Sequence, residues 1–447
     1  MKFKEGVKIK TAIEYIKKDI DRFLLICLAA SLPFDRIPSA DVYGISIRFS
    51  LIFSGLIILR AIYIVLKSNK KIKFNLPDKF LLIFLAWVAL VIPVSINLTR
   101  AVSVFVFIAF IIITAFSISL MFKKEYFKPI SVALFCVTVI VVFFGVYQYI
   151  GDIFNLPTSL TGLRDRYTWT VFGFPRIQAF SLEPLYMSAF LLIPYSIAST
   201  QWFSNDRIFS LKILGFVSFI SSFAIFLSVS RGGVYALIFS SSVVSMYMLL
   251  TKKAKIKRVI QMFAILLISF LISLLMINYL NKTPSSFTGG KKGSSAYVEQ
   301  IQNTSIGEGD ERSIARAQAI RILNENKSSY VVGIGPGQYG PYVQNNTSKD
   351  YGWTIVNNLP LEILLELGFI GLGIFILFAV SIFLKSCGLI NKKDDKAEFF
   401  VLIAMWAYLI SQAVQSQTYS TIYVIYLWFP IALVMAVIRN NNAKKAK

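Results

Sequence analysis

Twelve runs of mostly apolar residues constrain this chain more than any other feature; they lie near 22–40, 45–66, 79–97, 101–122, 129–151, 183–200, 211–229, 232–250, 258–280, 359–384, 398–416 and 420–438. At about 18–25 residues each, they are long enough to cross a hydrocarbon core of roughly 30 Å as helices, and they lack the alternation of barrel strands. With 56% hydrophobic residues, 15% charged residues and a mean hydropathy of +0.66, the chain has more apolar surface than a water-soluble core could hide. The sequence therefore predicts an all-α polytopic membrane protein of about twelve spans, one membrane domain over residues 1–447 with the lipid bilayer as solvent. Cys27, Cys136 and Cys387 fall in or beside apolar runs, which reads as small core residues and not as a disulfide framework. The opening stretch MKFKEGVKIKTAIEYIKKDIDR is too long and too charged for a cleavable signal, so the first span serves as the address.

The net charge of +23 is a matter of topology and not of nucleic acid, because the lysines stand in short clusters between apolar runs. A cytoplasmic N-terminus puts alternate connections inside, and with Arg22 these hold thirty of the 46 Lys and Arg residues. The positive-inside rule then places both termini in the cytoplasm. The two basic residue types separate across the membrane. Inside are four arginines, Arg22, Arg207, Arg258 and Arg439; outside are ten, Arg36, Arg48, Arg100, Arg164, Arg166, Arg176, Arg231, Arg312, Arg316 and Arg321. Lysine suffices as a point charge, whereas arginine's planar fork grips phosphate or carboxylate bidentately. The outer arginines read as an anion site, or as partners of acids in the same loops such as Asp165 and Glu311.

Outer segments 152–182 and 281–358 are too long for simple connections. The longer one opens with the flexible composition NKTPSSFTGGKKGSS and then reads GEGDERSIARAQAIRILNEN. There Asp310 can cap a helix, Ile314, Ala317, Ile320 and Leu323 form one apolar stripe, and Arg312 and Arg316 stand a turn apart. GIGPGQYGP sets Gly335, Gly337 and Gly340 in a dinucleotide-fold spacing, but without a βαβ unit and with Pro341 following in the loop, so a tight turn is expected and no cofactor. The chain has no histidine. That excludes His-based acid–base chemistry and His metal ligation, and no metal site is expected. Outer carboxylates remain for proton transfer. Glu183, seven residues after Arg176 and just before Pro184, sits at the mouth of the sixth span, where either helix-start chemistry or a catalytic role would suit it.

Three pieces occur in order: SRGGVYAL on an outer turn, RSIARAQAIRILNENKSSYVVGIGPGQYG in the long loop, and NNLPLEILLELGFIGL entering the next span. Together, from about Arg176 to Gly371, they make a region that resembles the O-antigen ligase and polymerase superfamily, the Wzy/WaaL-type membrane proteins. The resemblance implies a GT-C-like architecture in the bacterial inner membrane, with the active site on the outer face. It also implies a glycan on undecaprenyl pyrophosphate as donor, and it admits a chain-length-regulating co-polymerase as partner. By position, Arg231 and Arg312 would grip the pyrophosphate with Arg176 and Arg316 beside them, Glu183 would act with them, and Asn357, Asn358, Arg164 and Arg166 would face the acceptor glycan. The ligase branch reads His-Asn-x-x-Leu with Glu and Gly nine and eleven residues after the His. This chain has Asn357, Asn358, Leu361, Glu366 and Gly368 there, so the histidine position is an asparagine, which favours a polymerase. A ligase acting on a lipid A core or protein would share the arginines. A lipid-linked oligosaccharide flippase would instead show two related halves and charges within spans.

Overall fold

Helices form along the apolar runs because a backbone surrounded by lipid has to satisfy its N–H and C=O groups internally. The computed structural model describes residues 19–37, 40–42, 45–68, 73–204, 206–280, 311–346, 355–390, 396–420 and 422–445. In chain order, α1 (Ile20–Ser31) leads to an antiparallel hairpin of β1 (Ala40–Val42) and β2 (Ile45–Ile47). Four long helices follow, α2 (Phe49–Ser68), α3 (Leu76–Val91), α4 (Leu98–Met121) and α5 (Phe127–Ile153). After the short α6 (Thr158–Thr161) and α7 (Trp169–Phe172) come α8 (Pro184–Phe203), α9 (Leu211–Leu227), α10 (Arg231–Leu250) and α11 (Ile256–Leu280). A cap of α12 (Glu311–Glu325), α13 (Ser329–Val332) and α14 (Tyr339–Asn346) precedes α15 (Leu359–Ile390), α16 (Lys396–Gln415) and α17 (Ile425–Lys445).

Among the described residues eight helices are long and apolar enough to cross a membrane: α2, α3, α4, α5, α10, α11, α15 and α16. The all-α polytopic reading holds, with the hairpin as an addition. Leu59, Phe143 and Leu250, each at least 65% exposed, are the kind of surface that lipid covers. Three more expected spans, α8, α9 and α17, are less apolar or shorter because of where they sit. Nearly every residue of α8 is buried, against α9, α16, α10 and α5, so it needs packing partners and not an apolar exterior. Its polar groups find partners across helices, as with Tyr195 Oη and Ser241 Oγ at 2.7 Å. The first expected span, 22–40, is corrected. It is the 12-residue α1, about 18 Å long, because Pro33 has no N–H with which to continue the ladder.

Side chains tie the connections into two ends. At one end Tyr126 Oη donates to Asp19 at 2.7 Å and Arg439 pairs with Asp78 at 2.9 Å. At the other, the Arg36 amide donates to the Phe180 carbonyl, Gln338 pairs with the Asn97 backbone, and the Leu359 amide donates to the Ser416 carbonyl. The cap stands at this second end on its own small core of Ala315, Ala319, Ile322, Leu323, Ile334, Tyr339, Val343, Val356 and Leu365. The expected stripe is therefore displaced. Leu323 is buried, but Ile314 and Ile320 are 45% and 48% exposed and Ala317 is exposed, while Ala315 and Ala319 face inward. Arg312 and Arg316, three residues before those two alanines, lie on the inward side. Asp310 and the run 281–295 lie outside the described residues. Pro341 is also re-placed: it stands in the first turn of α14, where its missing N–H costs nothing.

Candidate functional site

The turn between α9 and α10 presents Arg231 as the first residue of α10, with Ser230 as its cap: Ser230 Oγ accepts from the Gly233 amide at 3.3 Å. Val229 just before it has φ 51°, an unfavourable conformation for a β-branched residue, and its side chain is wholly buried. Its carbonyl accepts from Arg176 Nη2 at 3.2 Å. Gly232 and Gly233 are in the first turn of the helix, and a Cβ on either would run into Thr418 or Ser188, so their role is close helix packing.

Arg176, Arg231 and Arg312 come from three separate segments and act on one another. Burial pushes the Arg176 guanidinium down to about 10, and the charges of Arg312 and Arg231 push it the same way. The Tyr167 ring lies under both Arg176 and Arg166, with guanidinium carbons 5.6 and 4.9 Å from its centroid. Glu183 stands just before α8, makes no side-chain hydrogen bond to the helix's amides, and accepts from Arg166 Nη2 at 2.9 Å; its charge also reaches Arg176. Arg164 stands by Arg36, whose guanidinium donates to the Gly162 carbonyl at 2.5 Å. Of the arginines expected outside, Arg48, Arg166 and Arg321 form ion pairs, with Asp35, Glu183 and Glu325 respectively. The guanidinium Nη2 of Arg316 donates to the Gln417 carbonyl at 2.6 Å. The structure thus gathers Arg166, Arg176, Glu183, Arg231 and Arg312, and draws Arg316 toward the turn after α16.

Asn358 meets that same turn. Its Nδ2 donates to the Gln417 carbonyl at 3.2 Å, and its Oδ1 accepts from the Leu361 amide at 2.9 Å, which caps α15. Asn357 beside it is left-handed, φ 57°. Farther along α15, Glu366 accepts from the Gly337 amide at 2.7 Å and the Tyr339 amide at 3.4 Å, so the glycine loop forms a nest around a carboxylate of its own chain. Gly368 has φ 68°, and a Cβ there would overlap the Val331 carbonyl, while one on Gly333 would overlap that of Glu366. Glu362, one turn before Glu366, accepts from Ser420 Oγ at 2.5 Å and the Val356 amide at 3.3 Å. Glu362 belongs to no motif. The signal that marks it is a pair of glutamates at i, i+4 inside an apolar run. Among the described residues no group of three or more His, Cys, Asp or Glu could hold a metal ion.

No curated protein matches the chain. A family model described as O-antigen ligase matches residues 216–376. That range contains Arg231, Arg312, Arg316, Asn357 and Asn358; Arg164, Arg166, Arg176 and Glu183 precede it. The match covers about a third of the chain and supports a part in surface-polysaccharide assembly; the chain is a polytopic membrane protein with a region similar to that family.

Proposed function

We propose that this protein polymerises lipid-linked oligosaccharide repeat units at the outer face of a bacterial cytoplasmic membrane. The gathering of Arg176, Arg231 and Arg312 carries this reading, because three guanidiniums from separate segments suit a multiply charged pyrophosphate. The acceptor hydroxyl oxygen attacks the anomeric carbon of the donor sugar. As the carbon–oxygen bond to phosphate breaks, the electron pair leaves on the undecaprenyl pyrophosphate, whose growing charge the arginines stabilise. The acceptor proton passes to Glu183, a partly exposed carboxylate that Arg166 holds in place, or to the departing phosphate.

In this reading, segments 152–182 and 281–358 are outside and both termini inside, as the distribution of the basic residues favours. Asn357 stands at the ligase histidine's position and has no titratable side chain, which supports the polymerase branch. The description of the matching family supports a second reading, transfer of a finished polymer to a lipid A core or a protein. Incubating purified protein with its lipid-linked repeat and resolving the products on a gel tests both. A ladder is expected, and no extension without an added acceptor would replace the polymerase with the ligase.

A further inference from the structure

We propose that the cleft beside the Arg166–Glu183 pair is a pyranose-binding subsite for the sugars of the lipid-linked glycan. This rests on the reading above. The cleft, about 600 Å³, lies between the end of α5 and the turn into α7, and Asp152, Asn155, Asp165, Arg166, Trp169 and Thr170 line it. Its volume is within the usual range for small-ligand sites. The half-buried Trp169 is anchored at two points: its amide donates to Asp152 Oδ2 at 2.6 Å and its indole N–H to Asn155 Oδ1 at 3.1 Å. An aromatic face with a fixed plane is thus set among polar groups before any ligand arrives.

A pyranose needs that combination. One face of the ring is apolar C–H, which packs on an indole, and its rim carries neighbouring hydroxyls that both donate and accept. The Asp165 carboxylate accepts from such hydroxyls, the Arg166 guanidinium donates to them in its planar fork, and the Thr170 hydroxyl can do either. Two carboxylates on one wall disfavour a phosphate here, so the cleft's chemistry differs from that of the arginine cluster. The two sites are nonetheless continuous. Arg166 lines the cleft and holds Glu183 at 2.9 Å, and the adjacent Tyr167 ring lies under Arg176. Phe154 and Leu160, 64% and 63% exposed, stand beside the cleft as surface that lipid would cover, so sugars on a membrane-borne carrier would pass at this level.

The test uses full-length protein in lipid nanodiscs and two probes read by calorimetry: the repeat-unit oligosaccharide released from its lipid, and bare undecaprenyl pyrophosphate. Trp169→Ala should weaken oligosaccharide binding about tenfold and Trp169→Phe should restore most of it, with undecaprenyl pyrophosphate affinity unchanged. Asp165→Asn, at an exposed position, should weaken the oligosaccharide about threefold. Undecaprenyl pyrophosphate binding with no oligosaccharide binding, or with oligosaccharide binding indifferent to all three substitutions, would overturn the subsite. Oligosaccharide binding through Trp169 with no affinity for undecaprenyl pyrophosphate would keep the subsite and remove the pyrophosphate reading.

Discussion

Two charged regions at the same end of the bundle are built on opposite rules. Around Glu362 and Glu366, two like charges are buried a turn apart, but donors from within the chain, the Val356, Gly337 and Tyr339 amides and the Ser420 and Tyr423 hydroxyls, meet three of the four carboxylate oxygens, and the Arg100 guanidinium offsets their charge. Around Arg176, like charges gather, and burial works against them. Buried charge offset by donors and a neighbouring cation rigidifies a fold, whereas a concentration of positive charge stores an interaction that an anion would release. The difference teaches that the glutamate-and-glycine pattern of α15, which has the appearance of chemistry in the sequence, is architecture, and that the arginines are the better candidates for chemistry.

Substitutions can break that contrast. Gly368→Ala should have the largest effect, lowering stability by about 3 kcal/mol through positive-φ strain and a clash with the Val331 carbonyl. Thermal unfolding in detergent measures it, and an unchanged midpoint would remove the structural role given to α15. Arg231→Lys should unfold at the parental temperature yet lose about a hundredfold in polymer formation, some 2.7 kcal/mol, because a point charge cannot reproduce a bidentate grip. Full-length polymer from that variant would show that charge alone is enough. Arg312→Ala should weaken binding of an undecaprenyl pyrophosphate analogue by about 2 kcal/mol, and unchanged affinity would leave Arg312 an ordinary surface charge.

A pH series sharpens the same point. Arg176 titrates near 10, so anion affinity should fall severalfold as pH rises through that value and the charge is lost. Stability should move the other way between 10 and the group's ordinary 12.5, because the unfolded chain binds the extra proton across that interval. Flat anion affinity from pH 8 to 11 would mean that Arg176 does not meet the ligand. The smallest effect belongs to Ile320→Gln, on the outward face of α12, which should shift stability by less than about 0.5 kcal/mol.

The membrane helices could be read from the sequence because twenty apolar residues in a row have few other fates. Faces were harder. On α12 the sequence offered Ile314 and Ile320 as the buried stripe, yet the small Ala315 and Ala319 are inside, where they let the helix lie close to α15. Near a bilayer an exposed isoleucine is not penalised as it would be in water, so apolarity stops reporting burial. Arg176 and Glu183 could be picked out, but their joining through Arg166 and Tyr167 depends on how the 154–183 segment folds back, and no local pattern encodes that. The hairpin at 40–47 was hidden because its residues continued the two apolar runs that flank it.

Gly368 separates the first turns of α15 from the rest of that helix, and Trp87 Nε1 takes the Leu367 carbonyl at 2.8 Å at the break. Ahead of the break Leu361, Leu364 and Leu365 pack with the cap while Leu359, Ile363 and Leu367 belong to the core of the bundle, and the residues beyond it pack against α3 and α17. The cap is therefore seated on a piece of helix that the bundle also grips, and Arg316 adds a second tie through the Gln417 carbonyl, so a shift of the cap would have to move the turn after α16 with it.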